Sequence, residues 1–129
     1  MPLQKTYREE MLLLSRDCDM GGLWRPSAVL TAMQETAGTH SHNLGCGRET
    51  LVKDGIVWVL TRCEVHMDRE AHIGQRVSIE TFPMPLRRWF FPRYFTFRGE
   101  DGEPLGAAGT LWVLFDLEKR CMVAPGAVA

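Results

Sequence analysis

Two rhythms of apolar and polar residues alternate along this chain, and the changes between them mark out its elements. Residues 5–16 (KTYREEMLLLSR) put Tyr7, Glu9, Met11 and Leu13 on one face, the period of two expected of a strand. The GGLWRP segment then turns the chain, and Pro26 suits the first position of a helix, where its missing N–H costs nothing. From there Leu30, Met33, Ala37, Ser41 and Leu44 recur at steps of three and four, an apolar stripe along one long helix that Gly45 and Gly47 stop. A short helical turn, RETLVKDG, bridges to a second strand at 56–68. Its alternation predicts Val57, Val59, Cys63, Val65 and Met67 on one face, with Trp58, Arg62, Glu64 and His66 on the other. Gly74 opens a third strand, RVSIETF, broken by Pro83 and Pro85; LRRW leads into a fourth, FFPRYFTFRG. The Asp-Gly of EDGE signals a hairpin into a last strand, PLGAAGTLWVLFDL. Its small residues Gly106, Ala107, Ala108 and Gly109 are expected to let a helix lie close.

The order strand, long helix, four strands predicts an α+β fold. In it a twisted five-stranded antiparallel sheet curls around one central long helix, the hotdog architecture, as a single domain over 1–129. Such a sheet leaves one side of its helix and a strand edge uncovered. A homodimer or higher homo-oligomer is therefore expected.

Charge and cysteine content narrow the partners. With 129 residues and a net charge of −1, no basic field is available for nucleic acid or an anionic membrane. No apolar run reaches the ~20 residues of a spanning helix, and MPLQKTYREE is too polar for a signal sequence. Cys18, Cys46, Cys63 and Cys121 stand far apart without a CxxC, which predicts reduced thiols in a cytoplasmic protein. His40 and His42 lie about 200° apart around the helix, and neither pairs with His66 or His72 at ligand spacing, so no metal or other cofactor is expected.

The runs QETAGTHSHNLG, VWVLTRCEVHMDRE, GQRVSIETFP, LRRWFFPRYFTFRGEDGE and GTLWVLFDLEKR resemble the N-terminal hotdog domain of acyl-acyl-carrier-protein thioesterases. The resemblance covers about residues 5–120, and Trp58-Val59-Leu60-Thr61-Arg62 with the order of segments makes it fairly specific. It implies hydrolysis of acyl-carrier-protein or coenzyme A thioesters to free fatty acid and thiol, in fatty acid biosynthesis. Members of that family carry two hotdog domains, with a catalytic Asp-x-Asn-x-His-x-Asn-Asn motif in the second. The analogous turn here, Asp17-Cys18-Asp19-Met20-Gly21, has Asp for Asn and Gly for His. A non-catalytic acyl-binding or structural hotdog is therefore the alternative reading.

Thioester hydrolysis needs a base or carboxylate nucleophile and donors for an oxyanion. Met33-Gln34-Glu35-Thr36-Ala37 resembles the acid-bearing helix segment of single-domain hotdog thioesterases and implies Glu35 as base or nucleophile. Glu35 lies about 160° from the apolar stripe, on a face with Ala28, Ala32 and Thr39; this is either a solvated polar face or one where the alanines leave room for substrate at a dimer seam. Helix N-terminal amides at Ser27, Ala28 and Val29 are the oxyanion candidates. Asp19 is a second candidate acid, against plain turn chemistry, and His40 a candidate for orienting water or the carboxylate, against a core or edge histidine. Arg87 and Arg88, with Arg93, are candidates for gripping phosphopantetheine phosphate or an acidic carrier, against a solvated loop. Trp58, Trp112, Phe95 and Phe97 are core or the lining of an acyl tunnel.

Overall fold

The computed structural model describes residues 5–124. Strand β1 (Tyr7–Leu12) precedes the long helix α1 (Pro26–Asn43), and the short helix α2 (Arg48–Val52) leads into β2 (Ile56–Met67). Strands β3 (Arg76–Pro83), β4 (Phe91–Arg98) and β5 (Pro104–Asp116) follow, and β6 (Cys121–Met122) folds back on the end of β5. The five long strands pair antiparallel in the order β1-β3-β4-β5-β2, leaving β1 and β2 at the edges of that path. This is the predicted hotdog, with the two-residue β6 as an addition.

The register shows how the sequence builds the inner face. Tyr7, Glu9 and Met11 stand opposite Thr81, Ile79 and Val77, and Thr81 and Ile79 oppose Phe95 and Phe97. Across β4 and β5, Phe91, Arg93 and Phe95 oppose Trp112, Thr110 and Ala108. Residues paired in this way share a face, so one row of side chains runs across the whole sheet. Val77, Ile79, Phe95 and Phe97 from this row are fully buried and form a core with Val29, Met33 and Ala37 of the helix.

Helix α1 ends as its glycines predict. Gly45 takes φ +82°, its N–H donates to the His42 carbonyl, and the Cys46 N–H donates to the Ser41 carbonyl. That pair of bonds is a Schellman cap, and the positive φ is where glycine avoids a steric cost. The EDGE hairpin is also present, with Gly102 at φ +80° and its N–H bonded to the Gly99 carbonyl.

Three details differ from expectation, each for a physical reason. The buried stripe of α1 is Ala28, Val29, Ala32, Met33, Thr36, Ala37 and His40, while Leu30 is 41% exposed. The apolar stripe through Leu30 is rotated from this face by about one residue, or 100°. In β2 the pairing shifts between Leu60 and Arg62, a bulge at Thr61. The extra residue reverses the face of everything on one side of it, so Trp58 and Leu60 point inward together with Cys63 and Val65. Val59, expected on the face of Cys63, points outward and is 39% exposed. The small residues of β5 do not receive the helix, which lies closest over β1 and β3. A Cβ on Gly106 would instead meet the His66 carbonyl oxygen of β2 at 2.2 Å. Glycine there serves the approach of two strands.

Candidate functional site

Because α1 covers β1 and β3, its C-terminal half stands away from the far end of β4, β5 and β2, and a cavity of about 650 Å³ opens between them. Its helix wall is Ala37, Gly38, Ser41 and Leu44; its sheet wall is Trp58, Phe91, Trp112 and Leu114. Leu51 of α2 and Met84 and Leu86 of the loop after β3 close the remaining sides. The size and mainly apolar lining fall within the range of small-molecule sites, roughly 300–1,000 Å³. Trp58 is fixed by an edge contact with Phe91, ring centres 4.9 Å apart, and by a hydrogen bond from its Nε1 to the Cys46 carbonyl at 3.1 Å. Phe95 and Phe97 are filled core, whereas Trp58 and Trp112 are half-buried wall.

A buried polar network adjoins the cavity. Arg93, on its lining and only 8% exposed, donates from Nη1 to Thr81 Oγ1 at 3.1 Å and to His40 Nδ1 at 2.9 Å. A guanidinium only donates, so Nδ1 of His40 accepts and the neutral ring is assigned its proton on Nε2. Tyr7 stacks on His40 with ring centres 5.7 Å apart and donates to Glu9 Oε1 at 2.7 Å. Thr36 donates to the other Glu9 oxygen at 3.1 Å. The ion pairs of the described residues are all exposed, and none includes Arg93. Burial holds its guanidinium below the ordinary arginine value, with the nearby Cys46 thiol acting in the opposite direction. Burial in turn raises the Cys46 thiol.

The residues anticipated from sequence are spread over this framework. Trp58 lines the cavity. Glu35 is exposed on α1, next in sequence to the cavity-lining Gln34, and makes no hydrogen bond among the described residues. Ser27 and Ala28 lie in the first turn of α1, where the N-cap Arg25 provides no side-chain bond to their amides. Val29 cannot join them, because its N–H is bonded to the Arg25 carbonyl and its side chain is core. Ala28 and Ala32 do not leave room at a seam either; both side chains are buried against the sheet. Asp19 holds its own turn, its Oδ1 accepting from Gly21 N–H at 2.8 Å and Leu23 N–H at 3.0 Å. His40 is 1% exposed inside the network and does not face solvent. Arg87 and Arg88 are exposed in a tight turn closed by paired Arg87–Phe90 backbone bonds, with Arg88 at φ 61°. Arg93, grouped with them by sequence, faces the interior. The signal for this was present: it alternates with Phe91, Phe95 and Phe97 on one face of β4.

A curled sheet around one helix, with an apolar cavity beneath the helix, defines a hotdog domain of the kind built into thioester-cleaving proteins. The chain belongs to the acyl-ACP thioesterase N-terminal domain family, whose model matches residues 4–125. Among solved structures it is similar to an acyl-ACP thioesterase from Bacteroides thetaiotaomicron, at 24% identity and TM-score 0.88, covering 95% of this chain and 50% of that one. A 12:0-ACP thioesterase from Umbellularia californica is also 24% identical, at TM-score 0.84, covering 95% of this chain and 48% of that one. A 1,4-dihydroxy-2-naphthoyl-CoA thioesterase from Synechocystis is 17% identical at TM-score 0.83, covering 93% of this chain and 89% of that one. The chain thus spans about half the length of the two acyl-ACP thioesterases. No curated protein sequence matches it. No helix among the described residues is long and apolar enough to cross a membrane.

Proposed function

We propose that this chain is an acyl-thioester hydrolase domain that holds the acyl group of an acyl-carrier-protein or coenzyme A thioester in its cavity. The observation that carries this reading is the apolar cavity of about 650 Å³ between α1 and the β4-β5-β2 end of the sheet. Family membership supplies the chemistry, and the likeness to both ACP and CoA thioesterases supports either carrier. The catalytic arrangement follows from distances along α1. Glu35 lies seven residues beyond Ala28, about 10 Å along the axis. One thioester cannot touch both the Glu35 carboxylate and the first-turn amides of the same helix. The two act on one substrate when Glu35 comes from one hotdog and the amides of Ser27 and Ala28 from another.

The second hotdog is a second copy of this chain or a further domain. The β2 edge, twelve residues long and unpaired outward among the described residues, is the surface that pairs with it. Arg87 and Arg88 stand beside the cavity-lining Leu86 and serve the phosphate of the carrier arm. Asp19 and His40 act through turn and core geometry. Four free cysteines fit a reducing compartment such as the cytoplasm. The exposure of Glu35, which makes no hydrogen bond among the described residues, favours a second reading, an acyl-binding domain that hydrolyses nothing by itself.

Thiol release from a panel of acyl-ACP and acyl-CoA substrates tests the proposal, with Glu35→Gln beside the wild type and particle size measured in parallel. Release by a dimer, abolished in Glu35→Gln, is the expected result. Chain binding without release selects the second reading. Full activity from a monomer, or from the variant, would remove the two-hotdog site.

A further inference from the structure

The cavity contains one feature that an unsubstituted alkyl chain does not explain. Its mouth is lined by exposed residues, among them Gln34, Arg48, Met84 and Leu86; its inner wall includes Arg93, which is only 8% exposed. A charge removed from water is costly unless paired, and an arginine cannot escape the cost by losing its proton. Two bonds from Nη1, to Thr81 and to the accepting Nδ1 of His40, use part of the five-donor fork, and no carboxylate among the described residues forms an ion pair with Arg93. The carboxylate on the same inward row of the sheet, Glu9, is no substitute. Glu9 belongs to β1, two strands from β4, and both of its oxygens are engaged by Tyr7 and Thr36. Cys46 beside Arg93 has its thiol raised by burial, so it stays neutral and supplies no anion.

We propose that the cavity selects acyl chains whose distal end carries a carboxylate, with the chain lying along Trp58, Phe91 and Trp112 and its terminal anion meeting Arg93. The inference rests on the acyl-holding reading of the cavity and adds the class of chain. A ligand entering chain-first, its thioester end held outside by the carrier, presents its far end to the inner wall. There a carboxylate finds a preformed, desolvated donor, the setting in which charge-assisted bonds to a guanidinium are strongest. A plain alkyl end would give the guanidinium no anion to meet, while displacing any water that solvates it.

Direct binding to the whole chain separates the possibilities without requiring turnover. The probes are methyl dodecanoate, methyl 12-hydroxydodecanoate and the monomethyl ester of dodecanedioic acid, titrated while tryptophan fluorescence is followed, with calorimetry as a second readout. The half-acid is expected to bind at least about tenfold more tightly than the plain ester. Arg93→Met should lose that preference while still binding the plain ester. Arg93→Lys, which keeps the charge without the fork, should retain part of it, and the wild-type panel alone decides the matter if the methionine variant does not fold. Equal or tighter binding of the plain or hydroxy ester by the wild type overturns the inference and leaves the acyl cavity standing. Failure of every ester to bind overturns both.

Discussion

Replacing Gly106 with alanine tests the close approach of β5 and β2. The added Cβ would stand 2.2 Å from the His66 carbonyl oxygen, 2.9 Å from the Met67 Cα and 2.9 Å from the Met67 sulfur. Two of those three atoms are backbone, so rotating a side chain does not relieve the contact. The strands must separate by about 1 Å at a point where Gly106 is also paired with Phe97 on β4. Overpacking of a tightly packed site costs about 1–3 kcal/mol, and a backbone-to-backbone clash belongs at the upper end. For a domain of this size about 3 kcal/mol corresponds to a Tm lower by roughly 10 °C. Gly38→Ala is the internal control, since nothing lies within 4 Å of its added Cβ and it sits within α1. Exchanging a helical glycine for alanine should raise stability by about 0.5–1 kcal/mol. Urea titrations followed by tryptophan fluorescence read both variants. A Gly106→Ala protein within about 0.5 kcal/mol of wild type would refute the claim that strand approach dictates this glycine.

Other consequences are open to equally direct measurement. Thr36→Val keeps the shape of a fully buried side chain but removes the donor to Glu9, and should cost about 1–3 kcal/mol in the same titrations. The hydrogen bond to Glu9 is the leading cause that raises the Tyr7 hydroxyl above its ordinary value of 10.0, followed by burial and the Glu9 charge. Folded protein therefore holds that proton more tightly than unfolded chain does. The associated stability is complete below pH 10 and is lost as pH rises through the raised folded value, a loss that Tyr7→Phe should remove from the alkaline limb of a stability profile. Ala37→Leu narrows the helix wall of the cavity, and the expected outcome is a preference for shorter acyl chains in binding assays.

Much of the architecture was legible because it rests on local physics. Pro26 and Gly45 bounded the helix through missing-donor and positive-φ effects that need no tertiary context. The strands followed from period-two alternation, and the Asp-Gly turn from backbone preference. What could not be read depended on packing. Leu30 and Val29 are adjacent and similarly apolar, so the buried face of α1 was decided by how the helix crosses β1 and β3. The bulge at Thr61 has no glycine to announce it, and unbroken period-two alternation places Trp58 on the face opposite Cys63. Arg93 was hidden for another reason. Its neighbours in sequence, Arg87 and Arg88, are solvated turn residues, and charge grouping outweighed the alternation that placed it inside. Of the catalytic candidates, the turn geometry of Asp19 was foreseeable from residue type. The role proposed for Glu35 turns on a second hotdog, and residue pattern within one domain carries no signal for that.

The bulge in β2 has a consequence beyond its geometry. It splits one strand into two reading frames: before Thr61 the even positions face inward, and after Arg62 the odd ones do. The first frame writes the cavity wall through Trp58, and the second writes the core through Cys63 and Val65. Deleting Thr61 would merge the frames and turn Trp58 outward unless the strand slipped. With the extra residue kept, substitutions that reshape the cavity and substitutions that repack the core fall on separate stretches of the same strand. Along β2, the cavity wall can therefore change without the core having to follow.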